Sequence, residues 1–125
     1  MYTAASPLAA LNDPSLLKTD ALIGGAWVAG SARFAVTDPA TGRQLADVAS
    51  LMPADAHDAI VAADKAWPGW RAKTAKERHA ILMKWYALLI QHADDLARIM
   101  TAEQGKPLAE ARGEVVYGAS FLEWF

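Results

Sequence analysis

The sequence predicts a mostly α-helical segment with a small antiparallel β-meander near its start. Three observations predict it. Helical signals run from Pro53 to the last residue. Short extended runs separated by glycine turns precede them. The chain has 125 residues, 54% of them hydrophobic, which is enough for one domain and too few for two.

Residues 1–20 are small and polar and are punctuated by Pro7 and Pro14. They read as an amino-terminal arm, loosely attached and with at most a short helical turn. Residues 21–125 then form the domain proper. Ala21-Leu22-Ile23 leads through Gly24-Gly25 into Ala26-Trp27-Val28, and Ala29-Gly30-Ser31 reverses the chain. Arg33 to Thr37 alternates and carries β-branched and aromatic residues, as a half-buried strand does. Asp38-Pro39-Ala40-Thr41-Gly42 is a turn: Pro39 fixes φ, Asp38 can accept backbone N–H bonds, and Gly42 can take positive φ. Gln44 to Ala49 returns as the last extended run.

Pro53 suits a first helical position, and Asp55 and Asp58 complement the positive end of the helix. Ala56, Ile60, Ala63 and Trp67 follow helical spacing, and Pro68-Gly69 predicts the stop. Thr74 and Glu77 have the spacing of a capping box. Ile81, Leu82, Trp85, Leu88 and Leu89 form one apolar stripe behind it. A helix running on to Gln104 would be about thirty residues, long for a globular protein, so a break is expected near His92 with a new helix over 94–104. Gly105 is the stop and Pro107 starts the last helix. That helix has Val115, Leu122 and Phe125 on one side and Tyr117, Phe121 and Trp124 on another. A helix apolar on two sides is normally buried between other elements. The short meander and the other helices do not supply that cover, and the expectation is that the chain is part of a longer protein.

Composition excludes several chemistries. With no cysteine, the chain has no disulfide framework, thiolate zinc site, iron–sulfur cluster or cysteine nucleophile. A net charge of −2 and a pI near 5.8 give no basic surface for gripping nucleic acid. The longest strongly apolar run, residues 85–90, falls far short of the roughly 20 residues that span a bilayer. The first basic residue is Lys18, so a signal-peptide n-region is absent and a cytoplasmic location is expected.

Few residues could carry chemistry alone. His57, His79 and His92 lack the spacing of a compact metal motif and read as surface or structural histidines. Glu110 and Glu114 lie one helical turn apart and could be drawn as an acid/base pair of a hydrolase, but a solvated helix face is the better reading. No GxGxxG or GxxxxGK[ST] loop is present, so no catalytic and no cofactor-binding residue is assigned. Trp67, Trp70, Trp85 and Trp124 read as core or interface residues.

Taken in order, several stretches resemble the amino-terminal quarter of the aldehyde dehydrogenase superfamily. Ile23-Gly24-Gly25-Ala26-Trp27-Val28 is similar to its first strand pair, and Val36 to Gly42 to its NPATG turn, with Asp38 in place of the usual Asn. Trp67-Pro68-Gly69-Trp70-Arg71, Glu77-Arg78 and Leu82 resemble its helix pair. Glu103-Gln104-Gly105-Lys106-Pro107-Leu108-Ala109-Glu110-Ala111 resembles its best-known motif of this region. The stretch from Gly113 to Phe125 is most like the succinate-semialdehyde dehydrogenase branch. The resemblance covers roughly residues 15–125.

It implies an α/β fold in which this chain opens an NAD(P)-binding domain. It also implies oxidation of an aldehyde, here succinate semialdehyde to succinate in 4-aminobutyrate degradation, using NAD or NADP. In the family a cysteine thiolate attacks the aldehyde, an Asn and a backbone N–H hold the oxyanion, and a Glu activates the hydrolytic water. Those segments lie downstream of the matched region, and Asn12, the single asparagine, matches none of them. The segment is therefore expected to be inactive alone, to bind no cofactor by itself, and to belong to a homodimer or homotetramer. Two local roles carry over by resemblance. Val36, Thr37 and Glu103 occupy the positions of a monovalent cation site, and Glu110, Gly113 and Tyr117 those of an aldehyde channel wall, where Gly113 would keep the wall open. The alternative is a non-catalytic helical interaction module that keeps this part of the fold and binds a partner through its two-faced last helix.

Overall fold

A computed structural model describes residues 6–125; the first five residues of the expected arm lie outside that range. Two short 3-10 turns, Pro7–Ala10 and Pro14–Leu16, open the described chain. Four strands follow: β1 (Ala21–Ile23), β2 (Ala26–Val28), β3 (Ala32–Thr37) and β4 (Gln44–Ser50). Four helices complete it: α1 (Pro53–Arg71), α2 (Ala75–Gln91), α3 (Ala93–Gln104) and α4 (Leu108–Trp124). Among the described residues, no helix is long and apolar enough to cross a membrane.

The strands pair antiparallel, but as two separate ribbons, β1 with β2 and β3 with β4, and not as one continuous meander. Between the ribbons, Gly30 sits at φ 70°, and a Cβ there would lie 2.8 Å from Leu51 Cδ2, so the turn is packed against the end of β4.

α1 does not stop at Pro68. It continues to Arg71, because a proline so close to the end removes one hydrogen bond and leaves no further turns to kink. Ala72 N–H still donates to the Pro68 carbonyl at 3.2 Å. The start of α2 is as the sequence predicts. Glu77 accepts from Thr74 N–H at 2.7 Å, and Glu77 N–H donates to Thr74 Oγ1 at 3.3 Å. Thr74→Ala is expected to cost about 1 kcal/mol, read as a lower urea midpoint. His92, at φ −102° and ψ 13°, breaks the run as expected, and Gly105 ends α3 at φ 77°.

The packing inverts the expected core. Among the described residues, the buried apolar set is Leu11 together with Ala93, Ala97, Ala102, Ala111 and Ala119, and no large side chain is fully enclosed. α4 lies across α2 and α3 with Ala111 and Ala119 in the seam and Val115 and Leu122 half-buried beside them. α2 turns Leu82, Tyr86 and Leu89 partly inward and leaves Ile81, Trp85 and Leu88 exposed, so the expected single stripe divides between two faces. On α1, Ile60 and Trp67 point outward while the small residue Ala62 approaches the β1–β2 turn, 3.6 Å from where a Cβ on Gly24 would sit. Small residues let backbones approach closely, so they take the seams and the bulky residues are left outside. Trp67, Trp85 and Trp124 are accordingly exposed and are not core residues of this segment.

The amino-terminal segment is tied down more firmly than expected of a terminus. Arg33 on β3 donates to Asp20 Oδ1 at 2.8 Å, to the Thr19 carbonyl at 3.1 Å and to the Asp47 carbonyl at 2.8 Å. Ala49 N–H donates to the same Thr19 carbonyl at 2.8 Å. Lys18 lies over the Trp27 ring, 5.3 Å from its centroid.

Candidate functional site

The turn after β3 is built by its own sequence. Asp38 is buried, and its carboxylate accepts from Ala40 N–H and Thr41 Oγ1–H, each at 2.8 Å. Gly42 N–H donates to the Asp38 carbonyl at 2.7 Å. The bonds to its carboxylate, from Thr41 Oγ1–H first and then Ala40 N–H, hold the Asp38 carboxyl below its ordinary value. The turn rests on the end of α3: a Cβ on Gly105 would lie 3.0 Å from Pro39 Cγ.

That contact brings β3 beside the carboxyl end of α3. Val36, Leu45 and Val48 from the ribbon face Leu96, Ile99 and Glu103 from α3 across a cleft of about 210 Å³. Leu16, Leu17 and Lys18 supply another wall. The β3–β4 register slips between Val36 and Thr37, where β4 carries the extra residue Leu45. Two of the three predicted cation-site residues, Val36 and Glu103, therefore share one cleft. Thr37 pairs with Gln44 in the ribbon and does not line the cleft. Glu103 is the cleft's one carboxylate, and Lys18 is its one basic lining residue. Sequence reasoning missed Lys18 because the strand and helix walls it faces come from residues 36–48 and 96–103, far along the chain.

The predicted channel residues fall on the outer face of α4. Glu110, Gly113 and Tyr117 are exposed, and nothing lies within 4 Å of a Cβ built on Gly113. Tyr117 packs edge-to-face on Phe121, with centroids 5.0 Å apart. Trp124, 83% exposed, continues the same face. The carboxylate-pair reading loses ground here: Glu114 is held in an ion pair by Lys106, so Glu110 has no free acidic partner one turn away. His57 and His79 are exposed on separate helices. Among the described residues, no group of three or more His, Asp or Glu side chains could hold a metal ion.

The acid response of this scaffold follows from its capped carboxylates. Asp38 and Asp95 have folded pKa values below 3.8, and hydrogen-bond donors are the leading cause in each. A depressed carboxyl stabilises the fold fully above its unfolded value, and that contribution is lost as pH falls through the folded value. Denaturation midpoints are expected to hold steady from neutrality to mild acid and to fall below about pH 4. Asp38→Asn should flatten that acid limb.

Comparison with known proteins places these features. Residues 27–125 match the family described as "Aldehyde dehydrogenase family". The chain is 53% identical over 117 residues to 3-sulfolactaldehyde dehydrogenase of Pseudomonas putida, covering 92% of this chain and 24% of that protein. It is 52% identical, with the same coverage, to NADP-dependent succinate-semialdehyde dehydrogenase of Escherichia coli. The crystal structure of succinate-semialdehyde dehydrogenase from Burkholderia pseudomallei superposes with a TM-score of 0.89 at 56% identity, over 92% of this chain and 24% of that one. The chain thus spans about a quarter of the length of the relatives it matches.

Proposed function

The chain belongs to the aldehyde dehydrogenase family, an α/β fold, and we propose that it forms the opening quarter of the NAD(P)-binding domain of a semialdehyde dehydrogenase. The observation that carries this is identity above half along nearly the whole chain with enzymes named for small anionic aldehydes. Those names include succinate semialdehyde, glutarate semialdehyde and 3-sulfolactaldehyde. Each of these aldehydes carries an acid group, and succinate semialdehyde oxidised to succinate is the proposed reaction of the whole protein. A homodimer or homotetramer in the cytoplasm is its proposed state. The exposed apolar faces of α1, α2 and α4 support this reading, since large apolar patches mark surfaces that something else covers.

The residues present do not fit a dinucleotide: the chain has no glycine-rich phosphate loop. It also has no thiol, so no covalent step is assigned to it. Its own contribution is scaffolding, with residues 21–125 as the domain portion and 1–20 as its arm. Glu103 and the Val36 backbone, which share the cleft, are proposed to hold a sodium or potassium ion, with the Thr37 backbone joining from the next position of β3 outside the cleft lining. Glu110, Gly113 and Tyr117 are proposed to face the aldehyde channel.

Two experiments test this. The whole protein, given succinate semialdehyde, glutarate semialdehyde and neutral butanal with NAD or NADP, should oxidise the acidic aldehydes faster, and the 125-residue polypeptide alone should reduce no nicotinamide. Equal turnover of butanal overturns the substrate class. Turnover by the short polypeptide overturns the scaffold reading, and a folded monomer that captures a defined protein instead favours the interaction module. Gly113→Ala tests the channel wall. It should stabilise the fold by about 0.5–1 kcal/mol, because glycine inside a helix is unfavourable and its Cβ position is open. A channel role requires turnover of bulky aldehydes to fall while stability rises.

A further inference from the structure

We propose that the Asp95 carboxylate is the anchor of the amino-terminal segment, whose attachment builds one wall of the Glu103 cleft. Asp95 is 3% exposed, yet among the described residues its one ion pair is with Arg98 on its own helix, at 3.1 Å. Its remaining partners come from residues more than eighty positions away. Asn12 N–H and Asn12 Nδ2–H both donate to Oδ1 at 3.0 Å, and Asp13 N–H donates to Oδ2 at 2.9 Å. One carboxylate thus gathers two consecutive backbone donors and a side-chain amide. This arrangement fixes direction as well as position, because both oxygens are used.

The consequence runs along the segment in both directions. On one side Leu11 is buried, the one large apolar residue in the buried set among the described residues. On the other, Asp13 Oδ1 accepts from Ser15 N–H at 3.0 Å, starting the turn Pro14–Leu16. That turn delivers Leu16, Leu17 and Lys18 to the cleft opposite Val36 and Glu103. Beyond it, Arg33 holds Thr19 and Asp20 to the β3–β4 ribbon. The segment is therefore pinned at two points, and the cleft wall lies between them. Removing the Asp95 pin frees the wall while the Arg33 pin remains.

The attachment does not depend on a cation in the cleft, so its test is independent of the proposed function. In the whole protein, amide hydrogen exchange is measured for wild type, Asp95→Asn, Asn12→Ala and the surface control Asp94→Asn, whose carboxylate pairs with Arg112. Asp95→Asn turns one acceptor into a donor that faces a donor. It should speed exchange at residues 12–17 by about tenfold or more, with the amides of α2 and α4 unchanged. Asn12→Ala removes one of the three bonds, keeps the backbone donors, and should give a smaller change confined to the same residues. Asp94→Asn should leave the segment protected. Unchanged exchange at residues 12–17 in Asp95→Asn, or an equal rise across all helices, overturns the assignment. Should Asp95→Asn fail to fold, Asn12→Ala decides alone: a local rise supports the assignment, and none overturns it.

Discussion

Ala111→Leu should destabilise the protein by about 1–3 kcal/mol, and Ala119→Leu by a similar amount. Both residues are 0% exposed, on α4. α4 packs on α2 and α3, and these alanines are its buried residues, so a larger side chain must displace its neighbours. Three added heavy atoms must push the helices apart or adopt a strained rotamer. Because α4 also packs on α2, the displacement passes to a second seam. Urea denaturation of the purified protein measures the loss, with Ala66→Leu on the exposed side of α1 as control. A variant with an unchanged midpoint would show that the seam is looser than its burial indicates.

Gly105→Ala is the second substitution with a large expected effect. Its φ of 77° is a left-handed conformation, which costs a residue bearing a Cβ about 1–3 kcal/mol. The new Cβ would also lie 3.0 Å from Pro39 Cγ, and a proline ring cannot swing aside. The α3 end and the Asp38 turn must then separate, and they are the two bodies that frame the Glu103 cleft. The expected result is a lower melting temperature together with a weaker response to sodium or potassium. A variant that loses neither stability nor cation response would remove the turn contact as a determinant of the cleft.

Local signals were legible because they act over a few residues. The capping box at Thr74 and Glu77, the stop at Gly105 and the break at His92 each follow from hydrogen bonds within one turn. Pro68 misled because proline's cost depends on how much helix follows it, and only three residues do. The orientation of α1 was illegible for another reason. Periodicity marks an apolar stripe at Ile60 and Trp67, but it does not say whether this segment or another covers the stripe; here the small Ala62 takes the inner side. Of the candidate site, the residues of the Val36–Thr37 and Glu103 pair came from family resemblance, since no spacing rule links positions so far apart. The bonds from Asn12 and Asp13 to Asp95 were invisible for the same reason.

The separation of 82–83 residues between those donors and Asp95 has a consequence for how the protein is made. Translation at about 5–20 residues per second leaves a lag of roughly 4–16 seconds before the segment's anchor exists. During that interval the first turn lacks α3, against which it packs, Leu16 and Leu17 have only the strand side of their cleft, and closing so long a loop adds its own entropic delay. The amino-terminal leucines are therefore among the last residues to settle.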